Sequence, residues 1–266
     1  MRAVVDAPRR KSSNRDKFMK LKDFFMENPK AAIAFSGGVD SAYLLYVAIQ
    51  CGAKVKAYYV KSDFQPDFEL EDALRLAKDL QAEMEVIRIN ILADPVIAAN
   101  PANRCYYCKK TIFSEIKKAA KEDGFSLLLD GTNASDDAGD RPGMRALKEL
   151  EIRSPLRECA LTKQEIRELS KKAGLFTWEK PAYACLATRI PQGVEITEKK
   201  LRMTEQAEKY LAGLGLADFR VRLLGDMARL QVSAAWFDLV MAHRKEIVTE
   251  LKKSYSAVFL DLEERG

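Results

Sequence analysis

The chain has 266 residues, 47% of them hydrophobic, and a formal net charge of +5. That length can bury a sizeable core in one large domain or two smaller ones, and the modest charge suits anionic small molecules without demanding nucleic acid. No apolar run approaches the ~18 residues that span a membrane, and the basic start lacks a signal peptide's apolar core, so a cytoplasmic protein with neither membrane nor nucleic acid as partner is expected.

In chain order, residues 18–28 read as an amphipathic helix and 31–35 as a strand, ending in Ser36-Gly37-Gly38-Val39-Asp40-Ser41. Residues 42–48 follow at helical spacing. A glycine-bearing turn between strand and helix lets the backbone approach a ligand, and the helix's free N–H groups favour an anion. Ser36 and Ser41 add hydroxyl donors, while Asp40 fits a phosphate loop only if Mg²⁺ lies between them. No Gly-Lys-Ser/Thr follows, which excludes a Walker loop.

Strands are expected at 55–60, 85–91 and 126–129, with helices at 68–80 and 111–123 and an irregular segment at 100–110. This alternation predicts an α/β protein with a doubly wound parallel sheet and ligands at the carboxyl ends of its strands. Gly131, just past the fourth strand, is expected on the same sheet edge as Ser36. Residues 136–145 read as a polar loop long enough for a mobile flap. Thr162 to Glu165 resemble a capping box opening a helix that ends before Gly174. Residues 180–193 have neither helical nor strand period. A domain boundary is placed near Gly193, giving domains 1–193 and 194–266. The second is read as helix 197–214, strands 219–224 and 228–232, helix 235–251 and strand 256–260: a small α/β unit.

The five cysteines are an odd number in a chain expected to be cytosolic, which favours metal or redox chemistry over disulfides. Cys105 and Cys108 form a C-x-x-C that could be a redox pair, half a zinc site or two buried thiols. Cys51 and Cys159 read as ordinary small residues. Cys185 lies in the irregular 180–193 segment, four residues before Arg189, where a cation favours a thiolate. Three thiolates fit a [4Fe–4S] cluster with one iron open; the bland alternative is three unrelated thiols. Arg220 and Arg222, two apart on a strand, share a face and suit a phosphate or carboxylate, or else line a solvated face. The single His243 reads as a helix-surface residue.

Together, AFSGGVDS at 34–41, CYYCKK at 105–110, DGTNASD at 130–136, GDRPG at 139–143, ACLATRIPQG at 184–193, AEKYLAGLG at 207–215 and FRVR at 219–222 resemble the LarE family of PP-loop ATP pyrophosphatases. The resemblance covers roughly residues 20–262 and implies an enzyme of nickel-pincer nucleotide synthesis. It implies that ATP adenylates a carboxylate of a pyridinium mononucleotide and that sulfur then displaces AMP. Ala34, Phe35, Ser36, Gly37, Gly38, Asp40, Ser41 and Gly131 would hold ATP, with Mg²⁺ on Asp40. Thr188, Arg189, Glu208, Arg220 and Arg222 would hold the substrate nucleotide. Cys105, Cys108 and Cys185 would be catalytic as ligands of a [4Fe–4S] cluster that relays sulfide, whereas members lacking the first two cysteines sacrifice the sulfur of the third. A sulfide donor is then a further partner, and a homo-oligomer is expected. The rivals are a PP-loop tRNA thiolase, an ammonia-using amide synthetase and a non-catalytic nucleotide-binding protein.

Overall fold

The computed structural model describes residues 14–136 and 142–263. Strand and helix alternate through α1 (Asn14–Glu27), β1 (Lys30–Ala34), α2 (Val39–Gln50), β2 (Lys54–Lys61), α3 (Asp67–Asp79) and β3 (Glu83–Arg88). The short α4 (Pro95–Ala98) leads into the long α5 (Arg104–Glu122) and then β4 (Leu128–Leu129). These strands pair in parallel in the order β3-β2-β1-β4. Ala31, Ala32 and Ile33 of β1 are wholly buried, because helices cover both faces of a parallel sheet. On one face Leu21 and Phe25 of α1 and Leu44 and Leu45 of α2 form the core. On the other, Phe113, Ile116 and Ala120 of α5 pack against Ala32, Tyr58 and Val60. The direction of winding reverses between β1 and β4, so a crevice opens beyond their carboxyl ends.

Next come α6 (Pro142–Glu149), α7 (Pro155–Glu158) and α8 (Lys163–Lys172). The box before α8 forms: Glu165 Oε2 accepts the Thr162 N–H at 2.8 Å, and Thr162 Oγ1 accepts the Glu165 N–H at 3.4 Å. An irregular stretch with a 3-10 turn at Leu186–Arg189 leads to α9 (Glu198–Gly213). The smaller C-terminal domain holds β5 (Phe219–Leu224), β6 (Met227–Val232), α10 (Phe237–Ala242), α11 (Arg244–Leu251) and β7 (Val258–Leu260). Its sheet is mixed, β5 antiparallel and β7 parallel to the central β6. Val221, Leu230 and Val232 form its own core with Leu211 of α9 and Ile247 and Leu251 of α11.

The structure corrects four sequence expectations. The third strand stops at Arg88, opposite Lys61 where its partner β2 ends, and a 3-10 turn at Ile91–Ala93 follows before Asp94 caps α4 by accepting the Val96 N–H at 2.8 Å. Residues 104–110 are helix, so both cysteines of the C-x-x-C lie on the opening turns of α5. The anchor is tertiary: Asn100, at φ +56°, donates to Pro191 O at 2.8 Å and Val194 O at 3.2 Å. The last helix breaks at His243, whose Nδ1 lies 3.1 Å from Glu246 Oε2 in the first turn of α11. Of the expected flap, residues 137–141 lie outside the described residues, and Pro142 to Arg145 are helix; proline suits a first helical position.

Candidate active site

The loop after β1 closes on itself through its serines. Ser41 Oγ lies 3.1 Å from Ser36 Oγ, accepts the Ser36 N–H at 3.2 Å and donates to Gly38 O at 3.2 Å. Gly37 has φ +71°, and a Cβ there would come 3.1 Å from the Cβ of Ala73 on α3. Gly38 supplies no side-chain cap to α2, which leaves that helix's first N–H groups for an anion. The turn after β4 presses on the loop from the side: a Cβ on Gly131 would stand 2.8 Å from Ser41 N. Buried Asp130 holds this turn, accepting from Thr132 Oγ1 and, at 2.5 Å, from Ser154 Oγ. Asp40 Oδ2 accepts from Lys163 Nζ at 2.5 Å, whereas Asp40 Oδ1 is buried without a partner. Burial pushes the Asp40 carboxyl above its usual range, against the pull of the Lys163 ammonium.

These residues line a cleft of about 480 Å³ whose other wall includes Lys180, Tyr183 and Cys185. Cys185 and Cys108 share one apolar cluster with Leu186, Ala187 and Ile190. Arg104, the first residue of α5, donates to Ala187 O at 3.2 Å and to Asn100 Oδ1, joining the two cysteine-bearing segments. Burial pushes the Cys108 thiol up to about 12, helped by Cys185 and Cys105 and opposed by Arg104. Burial also raises Cys185, again with Cys105 adding and Arg104 opposing. Cys105 is exposed, and all five cysteines are free. Among the described residues no three Cys, His, Asp or Glu side chains are disposed to hold a single metal ion. Neighbouring thiols beside a guanidinium, with no imidazole competing, suit an iron–sulfur cluster, whose ligands surround several atoms rather than one. Cys159 is buried and Cys51 half-buried, both in the main core.

The residues expected at the substrate form one network around Tyr183. Arg189, 1% exposed, makes a fork to Glu208, Nε to Oε1 at 2.8 Å and Nη2 to Oε2 at 3.0 Å. Its Nη1 donates to Ala184 O at 2.7 Å and Thr188 Oγ1 at 2.9 Å. Burial works against the Arg189 charge, but Glu208 outweighs it and the guanidinium stays above its ordinary value. Glu208 also accepts the Val221 N–H at 3.0 Å and the Tyr183 hydroxyl at 2.6 Å. Arg220 and Arg222 reach the same segment, to Ala182 O at 2.7 Å and Thr188 O at 2.7 Å. Burial and the neighbouring Arg189 lower both. Arg189 and Arg220 lie 4.5 and 4.9 Å from the Tyr183 ring centre.

Sequence reasoning did not single out Lys163, Tyr183, Arg104, Asp130 or Glu69. Asp130 lies in a quoted motif and Tyr183 directly precedes another, so a readable signal existed. Lys163 was hidden inside a helix start, 123 residues from its partner. Glu69 lines the cleft from the first turn of α3, and burial pushes its carboxyl up to about 7.

The model of the queuosine biosynthesis protein QueC matches residues 30–100, the stretch from β1 through α4. An uncharacterized Synechocystis protein, slr1717, is 40% identical over 81% of this chain and 81% of its own. A tRNA-specific 2-thiouridylase, MnmA 2 of Clostridium botulinum, is 28% identical over 56% of this chain and 51% of its own. The pyridinium-3,5-bisthiocarboxylic acid mononucleotide synthase of Lactiplantibacillus plantarum is 31% identical over 88% of this chain and 86% of its own. With that identity over most of both chains, the chain belongs to the LarE family of pyridinium-3,5-bisthiocarboxylic acid mononucleotide synthases.

Proposed function

We propose that this chain is an AMP-forming, ATP-dependent sulfurtransferase that converts a carboxylate of a pyridinium mononucleotide to a thiocarboxylate, in nickel-pincer cofactor synthesis. The observation that carries this reading is that Cys185 lines the same cleft as the Ser36–Ser41 loop. One cleft then serves both activation and sulfur transfer. The loop amides and the serine hydroxyls bind the ATP phosphates, and Asp40, whose Oδ1 has no partner, would hold Mg²⁺, which would supply positive charge beside the phosphates. A substrate carboxylate oxygen attacks the α-phosphorus, the bond to the β-phosphate bridging oxygen breaks, and pyrophosphate leaves. Charge developing on pyrophosphate is stabilised by the amides at the start of α2. Hydrosulfide then attacks the acyl carbon; the carbon–oxygen bond breaks and AMP departs with that oxygen.

Arg220 and Arg222 bind the substrate phosphate in a second pocket, lined by Glu208 and Arg220, that shares Pro181 and Tyr183 with the cleft, while Thr188 and Arg189 support it. Arg189 acts from behind, since its donors are spent on Glu208 and the 184–188 backbone and hydroxyl. Cys105, Cys108 and Cys185 would hold a [4Fe–4S] cluster, which supplies an open iron position for sulfide. Arg104 offsets their negative charge.

The test is pyrophosphate release with Mg²⁺, ATP and the pyridinium biscarboxylate nucleotide. Asp40→Ala is expected to abolish release while the fold persists by circular dichroism. Release by the variant at the wild-type rate would remove Asp40 from the metal site. A tRNA thiolase would instead place sulfur in tRNA and ignore the nucleotide.

A further inference from the structure

Resting on the reading of the cleft as a Mg²⁺–ATP site, we propose that Lys163 is a positioning residue that exchanges partners. It holds Asp40 while the cleft is empty and moves to the outer phosphates of the nucleotide when the cation takes Asp40. Lys163 opens α8, and its backbone N–H is fixed by Ser135 Oγ at 2.9 Å. From that base its side chain crosses to Asp40 Oδ2 at 2.5 Å. The other oxygen, Oδ1, is buried and bare. A carboxylate so placed is half prepared for a cation. Mg²⁺ seeks carboxylate oxygens, yet an ammonium within hydrogen-bond reach repels a divalent ion. A nucleotide resolves the conflict, because it brings the cation together with phosphate oxygens that accept a lysine charge.

Two neighbouring cations of the cleft are engaged elsewhere. Arg167 donates to Trp178 O and, at 2.7 Å, to Lys180 O, and Lys180 pairs with Asp72 at 2.6 Å. Lys163 alone of these three is tied to the group a cation would claim. The pairing thus keeps a half-buried carboxylate charge-balanced in the empty protein and ties release of Lys163 to arrival of the metal and the polyphosphate together.

The test compares the full chain with Lys163→Gln and Lys163→Arg, using Mn²⁺ as probe by electron paramagnetic resonance and nucleotide binding by calorimetry. Without nucleotide, Lys163→Gln is expected to bind Mn²⁺ about fivefold more tightly than wild type or better, because a nearby positive charge is gone. With Mn²⁺ present it should bind ATP about fivefold more weakly or worse, and AMP, which lacks the outer phosphates, as wild type does. Lys163→Arg should keep the wild-type Mn²⁺ affinity. Unchanged or weaker Mn²⁺ binding by Lys163→Gln overturns the exchange, as does equal weakening of ATP and AMP, which would make Lys163 a support of α8 only. If wild-type protein binds no ATP with Mn²⁺, the reading of the cleft itself falls, and that outcome is seen before any substitution is made.

Discussion

Several side chains in the cleft carry a charge under strain, and Glu69 gives this a measurable form. Its carboxyl is raised from an ordinary 4.5 to about 7, chiefly by burial, against the pull of Lys180 and Arg189. Between those values the folded protein keeps a proton that the unfolded chain has lost, so stability falls as pH rises across that window. Above it the whole penalty stands; below 4.5 it vanishes. Glu69→Gln should therefore stabilise the protein at pH 8 by about 1–3 kcal/mol and flatten the pH 5–7 slope in urea titrations. A slope unchanged by the substitution would contradict this account. Arg189 presents the opposite case, a buried charge fully paired. Arg189→Ala leaves Glu208 buried with only Tyr183 and the Val221 N–H, and should cost about 3–5 kcal/mol in urea unfolding. A loss below about 1 kcal/mol would mean that solvent replaces the guanidinium.

Among elements, the loop between β1 and α2 and the turn after β4 form one unit. Gly131→Ala would drive a Cβ against Ser41 N, 2.8 Å away, and the phosphate loop would have to shift. ATP binding should weaken by about tenfold or more, while thermal stability drops by the ~1–3 kcal/mol of an overpacked contact. Calorimetric titration with ATP reads the first and a denaturant series the second; intact ATP affinity would show that the loop absorbs the methyl. The Ser36–Ser41 loop was legible in the sequence because two glycines and an aspartate interrupt apolar runs of opposite period. The capped start of α8 was legible for a similar local reason. The start of α5 was not, since Asn100 is anchored by carbonyls some 90 residues on, and no local pattern encodes that. Lys163 was invisible as a site residue for the same reason. The same-face reading of Arg220 and Arg222 needed only strand period, and both do reach the 182–188 segment.

At the scale of the molecule, the two domains are clasped through residues 180–190. Arg189 crosses to Glu208 on α9, Arg220 and Arg222 return from β5, and the Asp67 N–H on α3 meets Glu205 Oε1 at 2.8 Å. This clasp sets Tyr183 and Cys185 in the wall of the cleft, and Tyr183 also borders a second pocket lined by Glu208 and Arg220. No helix among the described residues is long and apolar enough to cross a membrane. The cleft beside the phosphate loop is lined by the first domain, and the C-terminal domain borders it through Pro181 and Tyr183, which line both that cleft and the pocket of Glu208 and Arg220.

The central claim is that this cleft activates a carboxylate with ATP and replaces one of its oxygens with sulfur, without consuming the protein. The most direct measurement follows anaerobically reconstituted protein with the pyridinium biscarboxylate nucleotide, Mg²⁺, ATP and sulfide. Product and intact protein are weighed by mass spectrometry after several turnovers. The account predicts thiocarboxylate product in excess over enzyme, one pyrophosphate for each sulfur transferred, and an unchanged protein mass. Product limited to the amount of enzyme, with Cys185 converted to dehydroalanine, would contradict it.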